Sequence, residues 1–472
     1  MTKRMMHSPE NPAADFPQSS VGKESHAPYP DYKDSGIEWL GEIPAHWGVT
    51  AAKKQFSIQL GKMLQKSPTR RGDTEVPYLK ARHVQWFSVD ASSLPTMWIG
   101  ERESEKYCVQ EGDLVVCEGG EGGRCGLVQK VPDNCIIQNA LHRVREAKNG
   151  ESRVEYLQYV ISAVSSAKWF DATNSKATIA HFTKDKFNEL SIPVPSHAEQ
   201  CSIATFLDRE TEKIDTLIEK QERLIDLLKE KRAALISHAV TKGLNPDAPL
   251  KDSGIEWLGE IPAHWGVTAA KKQFSIQLGK MLQKSPTRRG DTEVPYLKAR
   301  HVQWFSVDAS SLPTMWIGER ESEKYCVQEG DLVVCEGGEG GRCGLVQKVP
   351  DNCIIQNALH RVREAKNGES RVEYLQYVIS AVSSAKWFDA TNSKATIAHF
   401  TKDKFNELSI PVPSHAEQCS IATFLDRETE KIDTLISKIH QAIELQKESR
   451  STLITAAVTG KMDVRQESVS TP

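Results

Sequence analysis

The spacing of apolar positions changes along this chain, and each spacing predicts a type of secondary structure. Short runs rich in Val, Ile and aromatic residues, bounded by Gly and Asp, are typical of strands. The predicted strands are Val76–Val84, Leu114–Glu118, Gly126–Val131, Cys135–Arg145 and Ser191–Val194. Helical spacing predicts helices over Glu151–Phe170 and Phe182–Leu190. Together these elements predict a mixed α+β domain of about 160 residues.

A different pattern begins at Ala198 and continues to Lys242 without a Gly or a Pro, which predicts one long helix. Its apolar residues alternate by three and four, as in a coiled coil, and the helix would be about 65 Å long. A second helix of this kind ends near Gly460, as the first ends near Gly243. The predicted helix-pairing and partner-binding positions are Leu207, Ile214, Leu217, Leu224, Leu228 and Leu235 in the first helix, and Leu425, Ile432, Leu435, Ile439, Ile443 and Leu453 in the second.

The strongest feature of the sequence is an internal repeat. Lys33–Ile218 recurs without a change as Lys251–Ile436, at an offset of 218 residues. The following segments, Glu219–Lys242 and Ser437–Gly460, match at only 11 of 24 positions. Recent recombination and deliberate construction would both give an identical body beside a diverged tail, and the sequence leaves both origins open.

The repeat defines the predicted domains. They are a disordered N-terminal arm (1–32), a first globular domain (33–197), a long helix (198–242), a linker (243–250), a second globular domain (251–415), a second long helix (416–460) and a tail (461–472). Because a lone helix cannot bury its apolar stripe, we expect the helices to pair as an antiparallel coiled coil with pseudo-two-fold symmetry and a globular domain at each end. In the alternative, each helix packs on its own domain.

Composition narrows the class of protein. No run reaches the roughly 20 apolar residues of a membrane helix, and the first 32 residues contain no secretory signal. Ten cysteines without a C-x-x-C pair predict reduced thiols in the cytoplasm, and the lack of a long apolar run predicts no membrane partner. With a formal net charge of −3, DNA binding would require a local concentration of basic residues.

The sequence contains no recognisable motif for catalysis. The glycine-rich stretch Cys117–Gly126 lacks the Lys-Ser/Thr of a P-loop and lies between two predicted strands, which favours a β-turn, although its N–H groups and Arg124 could contact phosphate. Neither zinc-ligand spacing nor an acidic nuclease cluster nor a methyltransferase motif occurs. We therefore expect no catalytic residue, no bound metal and no cofactor in this chain.

Several clusters combine cations, amides and an aromatic residue in a way that suits DNA. Arg and Lys suit guanine edges and phosphates, and Asn and Gln suit adenine, although such clusters also occur on ordinary solvated surfaces. The candidate DNA-binding residues of the first copy are Lys62, Lys66, Arg70, Arg71, Lys80, Arg82, His83, Gln85, Trp86, Arg124, Asn174, Ser175, Lys176 and Thr178. Those of the second copy are Lys280, Lys284, Arg288, Arg289, Lys298, Arg300, His301, Gln303, Trp304, Arg342, Asn392, Ser393, Lys394 and Thr396.

Several sequence segments resemble those of the specificity subunits of type I restriction-modification complexes. They are the opening DSGIEWLGEIPAHW (34–47), the strand-turn GDLVVCEGG (112–120), and the run from Ser175 through the Glu-Gln pair at 199–200 into CSIATFLDRETEKIDTLI (201–218). The similarity covers nearly the whole chain in two passes, apart from the N-terminal arm.

This resemblance implies a non-catalytic DNA-recognition protein of the cytoplasm. Each globular domain would be a target-recognition domain that binds one half of a bipartite site on double-stranded DNA, and the helices would set the spacing. The helices would also bind two modification (methyltransferase) subunits, and two restriction (translocase and nuclease) subunits would join them. S-adenosylmethionine, ATP and Mg²⁺ would belong to these partners.

The identical domains depart from the family, whose members usually carry two different ones. We therefore expect the two half-sites to be inverted repeats that form an interrupted palindrome. Two other interpretations stay open. The chain could be a coiled-coil scaffold that binds protein, or a methyltransferase or nuclease with unfamiliar motifs.

Overall fold

The computed structural model describes residues 27–119, 121–167, 181–337, 339–385 and 400–465. The chain forms two compact units. The first unit comprises Met1–Glu219 and Ile443–Pro472, and the second comprises Lys220–Ala442. Each unit therefore contains one copy of the repeat and parts of both long helices.

In the first copy, strands and helices alternate irregularly before one long helix. The strands are β1 (Tyr32–Asp34), β2 (Glu42–Pro44), β3 (Gly48–Ala51), β4 (Phe56–Leu60), β5 (Thr74–Leu79), β6 (Val84–Gln85), β7 (Ser88–Val89), β8 (Thr96–Ile99), β9 (Leu114–Cys117), β10 (Cys125–Leu127), β11 (Ile136–Ile137), β12 (Leu141–Glu146) and β13 (Ser191–Val194). The helices are α1 (Ala52–Gln55), α2 (Glu101–Tyr107), α3 (Val154–Ser166), α4 (Lys184–Glu189) and α5 (His197–Lys242), and a 3-10 turn spans Ala81–His83.

The second copy repeats this order. Its strands are β14 (Leu250–Asp252), β15 (Glu260–Pro262), β16 (Gly266–Ala269), β17 (Phe274–Leu278), β18 (Thr292–Leu297), β19 (Val302–Gln303), β20 (Ser306–Val307), β21 (Thr314–Ile317), β22 (Leu332–Cys335), β23 (Cys343–Leu345), β24 (Ile354–Ile355), β25 (Leu359–Glu364) and β26 (Ser409–Val412). Its helices are α6 (Ala270–Gln273), α7 (Glu319–Tyr325), α8 (Val372–Ser384), α9 (Lys402–Glu407) and α10 (His415–Val458), with a 3-10 turn at Ala299–His301.

Five small sheets form the first domain. An antiparallel sheet has the order β10-β9-β12-β4, and in it His142 is paired with both Leu60 and Val116. A second sheet has the order β11-β5-β8, with β11 parallel to β5. The other three sheets are the antiparallel pairs β1-β2, β3-β13 and β6-β7. The second domain has the same five sheets, so the expected α+β class is confirmed for both copies.

The main core of each unit lies between the four-stranded sheet and the helix that follows it, and both long helices complete it. In the first unit, Leu207 of α5 and Ile454 and Val458 of α10 belong to the same buried cluster as Trp47 and Leu157. The second unit is built in the same way, with Val240 of α5 and Leu425 of α10 in its core. Each helix therefore begins by packing on the domain that precedes it, as the alternative interpretation expected, but that packing is only part of what buries it.

Several predicted element bounds require correction. The predicted strand Val76–Val84 ends at Leu79 because the 3-10 turn Ala81–His83 follows, and Cys135–Arg145 is broken into β11 and β12. The helix predicted over Glu151–Phe170 begins at Val154 and ends at Ser166. Sequence patterns missed β4, β8 and α2, which are only 5, 4 and 7 residues long.

The buried stripe of the long helices follows a different repeat from the predicted one. In α5 the buried isoleucines are Ile203, Ile214, Ile225 and Ile236, and in α10 they include Ile421, Ile432, Ile443 and Ile454. Their spacing of 11 residues corresponds to about 3.67 residues per turn, so the stripe stays nearly straight along an α-helix. A strict heptad drifts around the helix, and this is why the predicted pairing residue Leu224 is 43% exposed whereas Ile225 is 3% exposed.

The other predicted pairing positions fall into two groups. Leu207, Ile214, Leu425, Ile432, Ile439 and Ile443 are buried. Leu217, Leu228, Leu235, Leu435 and Leu453 are half-buried at the edges of the stripe.

The end of the predicted disordered arm is packed against the C-terminal tail in the first unit. Tyr29 is buried in the core, and the hydroxyl of Tyr32 donates to the carbonyl of Gly460 at 2.9 Å. The Asp463 N–H donates to the Ala27 carbonyl, and the guanidinium of Arg465 lies over the Tyr29 ring. The arm assignment is thus wrong for residues 27–32, because two tyrosines in a polar segment supply enough apolar surface to dock it.

The ten cysteine thiols are free, and burial raises the pKa of Cys125 well above its ordinary range. Within the described ranges, none of the helices combines the length and hydrophobicity of a membrane span.

Two adjacent residues of α5 distinguish the 11-residue stripe from a heptad seam. We expect Ile225→Ala to lower the free energy of unfolding by about 2–4 kcal/mol, because it leaves a cavity at a buried position. Leu224→Ala should change it by less than about 0.5 kcal/mol. Urea unfolding of the full chain measures both changes. A larger loss of unfolding free energy in Leu224→Ala than in Ile225→Ala would contradict the 11-residue stripe and support the heptad pattern.

Candidate nucleic-acid interface

Several loops of the first domain meet at one end of its four-stranded sheet, which we call the loop end. Because neighbouring strands are antiparallel, the last residues of β4 and β9 lie beside the first residues of β10 and β12. The loops after Leu60 and Cys117 and the loop before Leu141 therefore leave the sheet on the same side. β5 and β11 are parallel, so Lys80 and Gln138 also follow their strands in the same direction.

The glycine-rich stretch forms the predicted turn, since β9 and β10 pair antiparallel on either side of it. One Arg124 nitrogen donates to the Ala81 carbonyl at 3.1 Å, and another lies 3.1 Å from a Glu121 carboxylate oxygen. The indole N–H of Trp86 donates to the same carboxylate at 2.7 Å. The structure thus joins Arg124 to the predicted cluster Lys80–Trp86, and Arg342 is joined to Trp304 in the same way through Glu339.

Within this cluster, exposure separates surface groups from a buried one. Arg82 and Gln85 are exposed, and Lys80 and Trp86 are half-buried. His83 is 6% exposed, and burial, together with the charges of Arg82 and Lys80, lowers its pKa. His83 is therefore a buried, uncharged residue that stabilises the 3-10 turn Ala81–His83. His301 has the same surroundings in the second copy.

Lys62 is also less accessible than its position in a polar loop suggests. Its side chain is 11% exposed, and its ammonium group lies 2.8 Å from the Glu103 carboxylate, which lowers the pKa of Glu103. Its carbonyl accepts a hydrogen bond from the Asn139 N–H. Lys62 thus fastens α2 to the loop end, as Lys280 does through Glu321.

Arg70 and Arg71 lie elsewhere in the domain. They are exposed in a turn held by Asp73, which accepts from the N–H groups of Thr69 and Arg70, and these bonds lower the pKa of Asp73. This turn precedes β5, whereas Lys80 follows it, so the strand separates the two clusters by about 20 Å. Arg288 and Arg289 occupy the corresponding turn, and Lys66 and Lys284 are exposed in the loops before these turns.

The last four candidate DNA-binding residues of each copy lie outside the described residues. They are Asn174, Ser175, Lys176 and Thr178 in the first copy and Asn392, Ser393, Lys394 and Thr396 in the second. The described chain resumes at His181, which lies against the glycine-rich turn: a Cβ on Gly119 would be 2.8 Å from the His181 ring nitrogen. The next residue, Phe182, donates its N–H to the Glu118 carbonyl at 2.6 Å. The first described residues after these candidates therefore lie at the loop end.

Two pairs of residues at the loop end were not among the candidates predicted from the sequence. Gln138 and Asn139 are half-buried amides between β11 and β12, and Gly61 is required beside them because a Cβ there would be 2.2 Å from the Gln138 carbonyl oxygen. Met63 and Leu64 are exposed apolar residues between Lys62 and Lys66, at 76% and 41%. Two features of the sequence could have identified these residues. Gln138 and Asn139 interrupt an apolar run, and Met63 and Leu64 are adjacent apolar residues between two lysines.

The loop end thus presents donors and acceptors suited to base edges, together with an aromatic and an apolar group. Arginine and amide side chains in this arrangement can form bidentate hydrogen bonds with bases, and apolar side chains can insert between base steps. Within the described ranges, no group of three or more His, Cys, Asp or Glu side chains is placed to hold a metal ion.

A family model described as the type I restriction modification DNA specificity domain matches the chain twice, over residues 45–226 and 263–445. The specificity subunit of the type I restriction enzyme MjaVIII from Methanocaldococcus jannaschii is 25% identical over 457 residues, covering 92% of this chain and 97% of that protein. The EcoKI specificity subunit from Escherichia coli K12 is 22% identical, covering 89% and 90%.

Solved structures share the fold at lower identity. The HsdS subunit from Thermoanaerobacter tengcongensis aligns with a TM-score of 0.50 and 14% identity over 89% of this chain and 98% of that one. A chain from a structural study of complex assembly and conformational transition of the type I R-M system aligns with a TM-score of 0.66 and 13% identity over 88% and 98%. The HsdS-like fold with two repeated domains therefore extends over nearly the whole chain.

A buried histidine beneath the loop end predicts acid sensitivity. His142 and His360 are fully buried, with one ring nitrogen 2.9 Å and 3.0 Å from the carbonyls of Phe182 and Phe400. Burial lowers the pKa of His142, and lowers the pKa of His360 to about 4. The pKa of histidine in the unfolded chain is about 6.5, so protonation of either residue favours unfolding. The contribution of His360 to the free energy of unfolding is therefore complete above about pH 6.5 and is lost as the pH falls to about 4, and the contribution of His142 is lost in the same direction.

We expect the double variant H142Q/H360Q to show a shallower loss of unfolding free energy between about pH 6.5 and pH 4 than the wild type. Urea titrations at a series of pH values measure this slope. The control H238Q/H440Q removes two exposed histidines from the long helices and should keep the wild-type slope. Equal slopes in all three proteins would assign the acid sensitivity to other groups.

Proposed function

The chain belongs to the family of the type I restriction modification DNA specificity domain, carrying that domain twice, and we infer that it serves as the DNA-specificity subunit of a type I restriction-modification complex. The observation that carries this inference is the double match, each part of which covers most of one globular domain and more than half of the long helix that follows it. In this function the chain supplies sequence recognition, and the methyltransferase and nuclease chemistry belongs to partner subunits.

The loop end of each domain is the surface we assign to DNA. Arg82 and Gln85 are exposed there, beside Trp86 and the glycine-rich turn, and they are residue types that distinguish bases in the major groove. Arg70, Arg71 and Lys66 are exposed farther away and suit phosphate contacts, which position a domain without specifying sequence. Lys62 and His83 are largely buried and hold these loops in position.

The two long helices act as an antiparallel pair that sets the separation of the half-sites. In the first unit Asp215 of α5 forms an ion pair with Arg450 of α10, with nitrogen and oxygen 3.0 Å apart. In the second unit Arg232 of α5 forms one with Asp433 of α10, also at 3.0 Å. The partners follow each other in opposite order along the two helices, which supports antiparallel pairing with pseudo-two-fold symmetry.

Identical domains related by such an axis would bind identical half-sites in opposite orientation. The proposed target is therefore a palindrome interrupted by a spacer of unspecified sequence. Two modification subunits would bind along the helix pair and two restriction subunits would join them, so that S-adenosylmethionine, ATP and Mg²⁺ enter with the partners. Shared phosphate contacts explain how a chain with net charge −3 takes part in DNA binding.

The first test is methylation-site sequencing. The full chain is purified with its modification subunit, the complex is incubated with S-adenosylmethionine and genomic DNA, and modified adenines are mapped. We expect a single interrupted palindrome with an adenine methylated in each half. Unlike half-sites would contradict the symmetry, and a complex that forms without methylating DNA would favour a protein-binding scaffold.

Substitution at the loop end tests the DNA surface. The double variant R82Q/R300Q should methylate the target about tenfold or more slowly, because each lost bidentate base contact costs about 1–3 kcal/mol. The control K130Q/K348Q removes one exposed lysine per domain from beyond β10 and β23, at the opposite end of the sheet. It should methylate at nearly the wild-type rate, and equal losses in both variants would indicate a general effect of charge.

A further inference from the structure

An arginine near the end of each long helix contacts the other long helix and a hairpin of the globular domain at once. In the first unit Arg450 of α10 is paired with Asp215 of α5, and its guanidinium carbon lies 4.6 Å from the centre of the Phe87 ring. Its side chain is only 19% exposed. Three chain segments, α5, α10 and the β6–β7 hairpin, therefore meet on one cation.

The hairpin residue under this cation has an unusual backbone conformation. Phe87 has φ of +67°, which bulky side chains rarely adopt, and it lies in the tight turn between the paired residues Gln85 and Ser88. Its ring is 5.0 Å from that of Tyr159, whose hydroxyl donates to Asp208 of α5 at 2.5 Å. The surroundings thus hold Phe87 in place from both sides.

The neighbouring residues in this hairpin belong to the proposed DNA surface. Gln85 and Trp86 precede Phe87, and the Trp86 indole is bound to Glu121 of the glycine-rich turn. The Phe87 N–H donates to the Cys125 carbonyl, at the other end of that turn. A cation that fixes Phe87 therefore fixes the position of two loops of the loop end relative to the helices.

The second unit repeats this arrangement on a helix segment of different sequence. Arg232 of α5 is paired with Asp433 of α10, and its guanidinium carbon lies 4.6 Å from the Phe305 ring centre. Phe305 has φ of +66°, and its ring lies 5.0 Å from that of Tyr377. The residues flanking the arginine differ between the copies, Lys231 and Ala233 against Ser449 and Ser451, whereas the arginine is kept.

We propose that Arg450 and Arg232 are positioning residues that hold the β6–β7 and β19–β20 hairpins, respectively, against the helix pair. By holding them, the arginines restrict the spacing of half-sites that the protein accepts. The proposal rests on the proposed function. Arginine suits this role because its planar guanidinium can stack on a ring while its N–H groups bind a carboxylate in the same plane, which the point charge of lysine cannot do. A spacer changed by one base pair turns one half-site by about a tenth of a helical turn, and a locked hairpin cannot follow it.

The test compares spacer lengths with the assembled methyltransferase complex. Duplexes carry the mapped half-sites at the natural spacing and with one base pair added or removed, and the measured quantity is the ratio of methylation rates at natural and altered spacing. In R450Q/R232Q this ratio should fall roughly fivefold, corresponding to the loss of a half-buried cation–ring contact. R450K/R232K should also lower it, because the charge remains but the stacking is lost.

The matched control is K447Q/K229Q, which removes one charge from each of the same helices. Lys447 and Lys229 are exposed and pair only along their own helix, with Glu444 and Asp226, in the contacts of the described residues. This control should keep the wild-type ratio. Since the target is symmetrical, R450Q alone and R232Q alone should each reduce the ratio to a similar extent.

The outcomes separate positioning from stability. A wild-type ratio in R450Q/R232Q, with only the rate at natural spacing reduced, would overturn the proposal and leave the arginines a stabilising role. A wild-type ratio in R450K/R232K would likewise overturn the role of the stacked guanidinium, and this variant serves if R450Q/R232Q fails to fold in a thermal unfolding assay. A wild-type complex with no preferred spacing would refute the proposed function itself.

Discussion

Neither globular domain closes its core with its own residues. In the first unit the sheet and α3 leave an apolar face that is covered by Ile203 and Leu207 at the start of α5 and by Ile454 and Val458 at the end of α10. Burying side chains of this kind contributes about 1.5–3 kcal/mol each, which is a large part of the net stability of a domain. Both helix ends must therefore be docked for the domain to be stable, and this couples the folding of each domain to the helices.

The same dependence organises the recognition surface. The helices that complete the core also carry Arg450 and Arg232, which reach the hairpins at the loop end. At the loop end itself, ionic and hydrogen-bonding groups such as Lys62, Arg124 and His142 are directed inward, to a carboxylate or a carbonyl. Exposed side chains such as Arg82 and Gln85 are thereby left on a framework that their neighbours hold in place, as a surface that discriminates bases requires.

The duplication gives the molecule an internal comparison. Two domains of identical sequence dock on helix segments that share only 11 of 24 positions, and the docking contacts recur at the shared ones. Tyr156 donates its hydroxyl to the Val458 carbonyl and Tyr374 to the Val240 carbonyl, both at 3.3 Å. Ile236 and Ile454, Val240 and Val458, and the two arginines are all common to both segments, whereas exposed positions between them differ. Packing against an identical surface is a sufficient physical reason for that selection.

The sequence by itself determined the repeat, the α+β class, the long helices to within a few residues at each end, the glycine-rich turn and the family. These follow from local pattern, because strand alternation, helical periodicity and turn residues act over a few positions. The 11-residue stripe was decided by tertiary structure, since Leu224 and Ile225 are both apolar and only packing determines which faces inward. The same holds for the burial of Lys62 and His83, the separation of Arg70 from Lys80 and the docking of Tyr29, because each depends on residues distant in sequence.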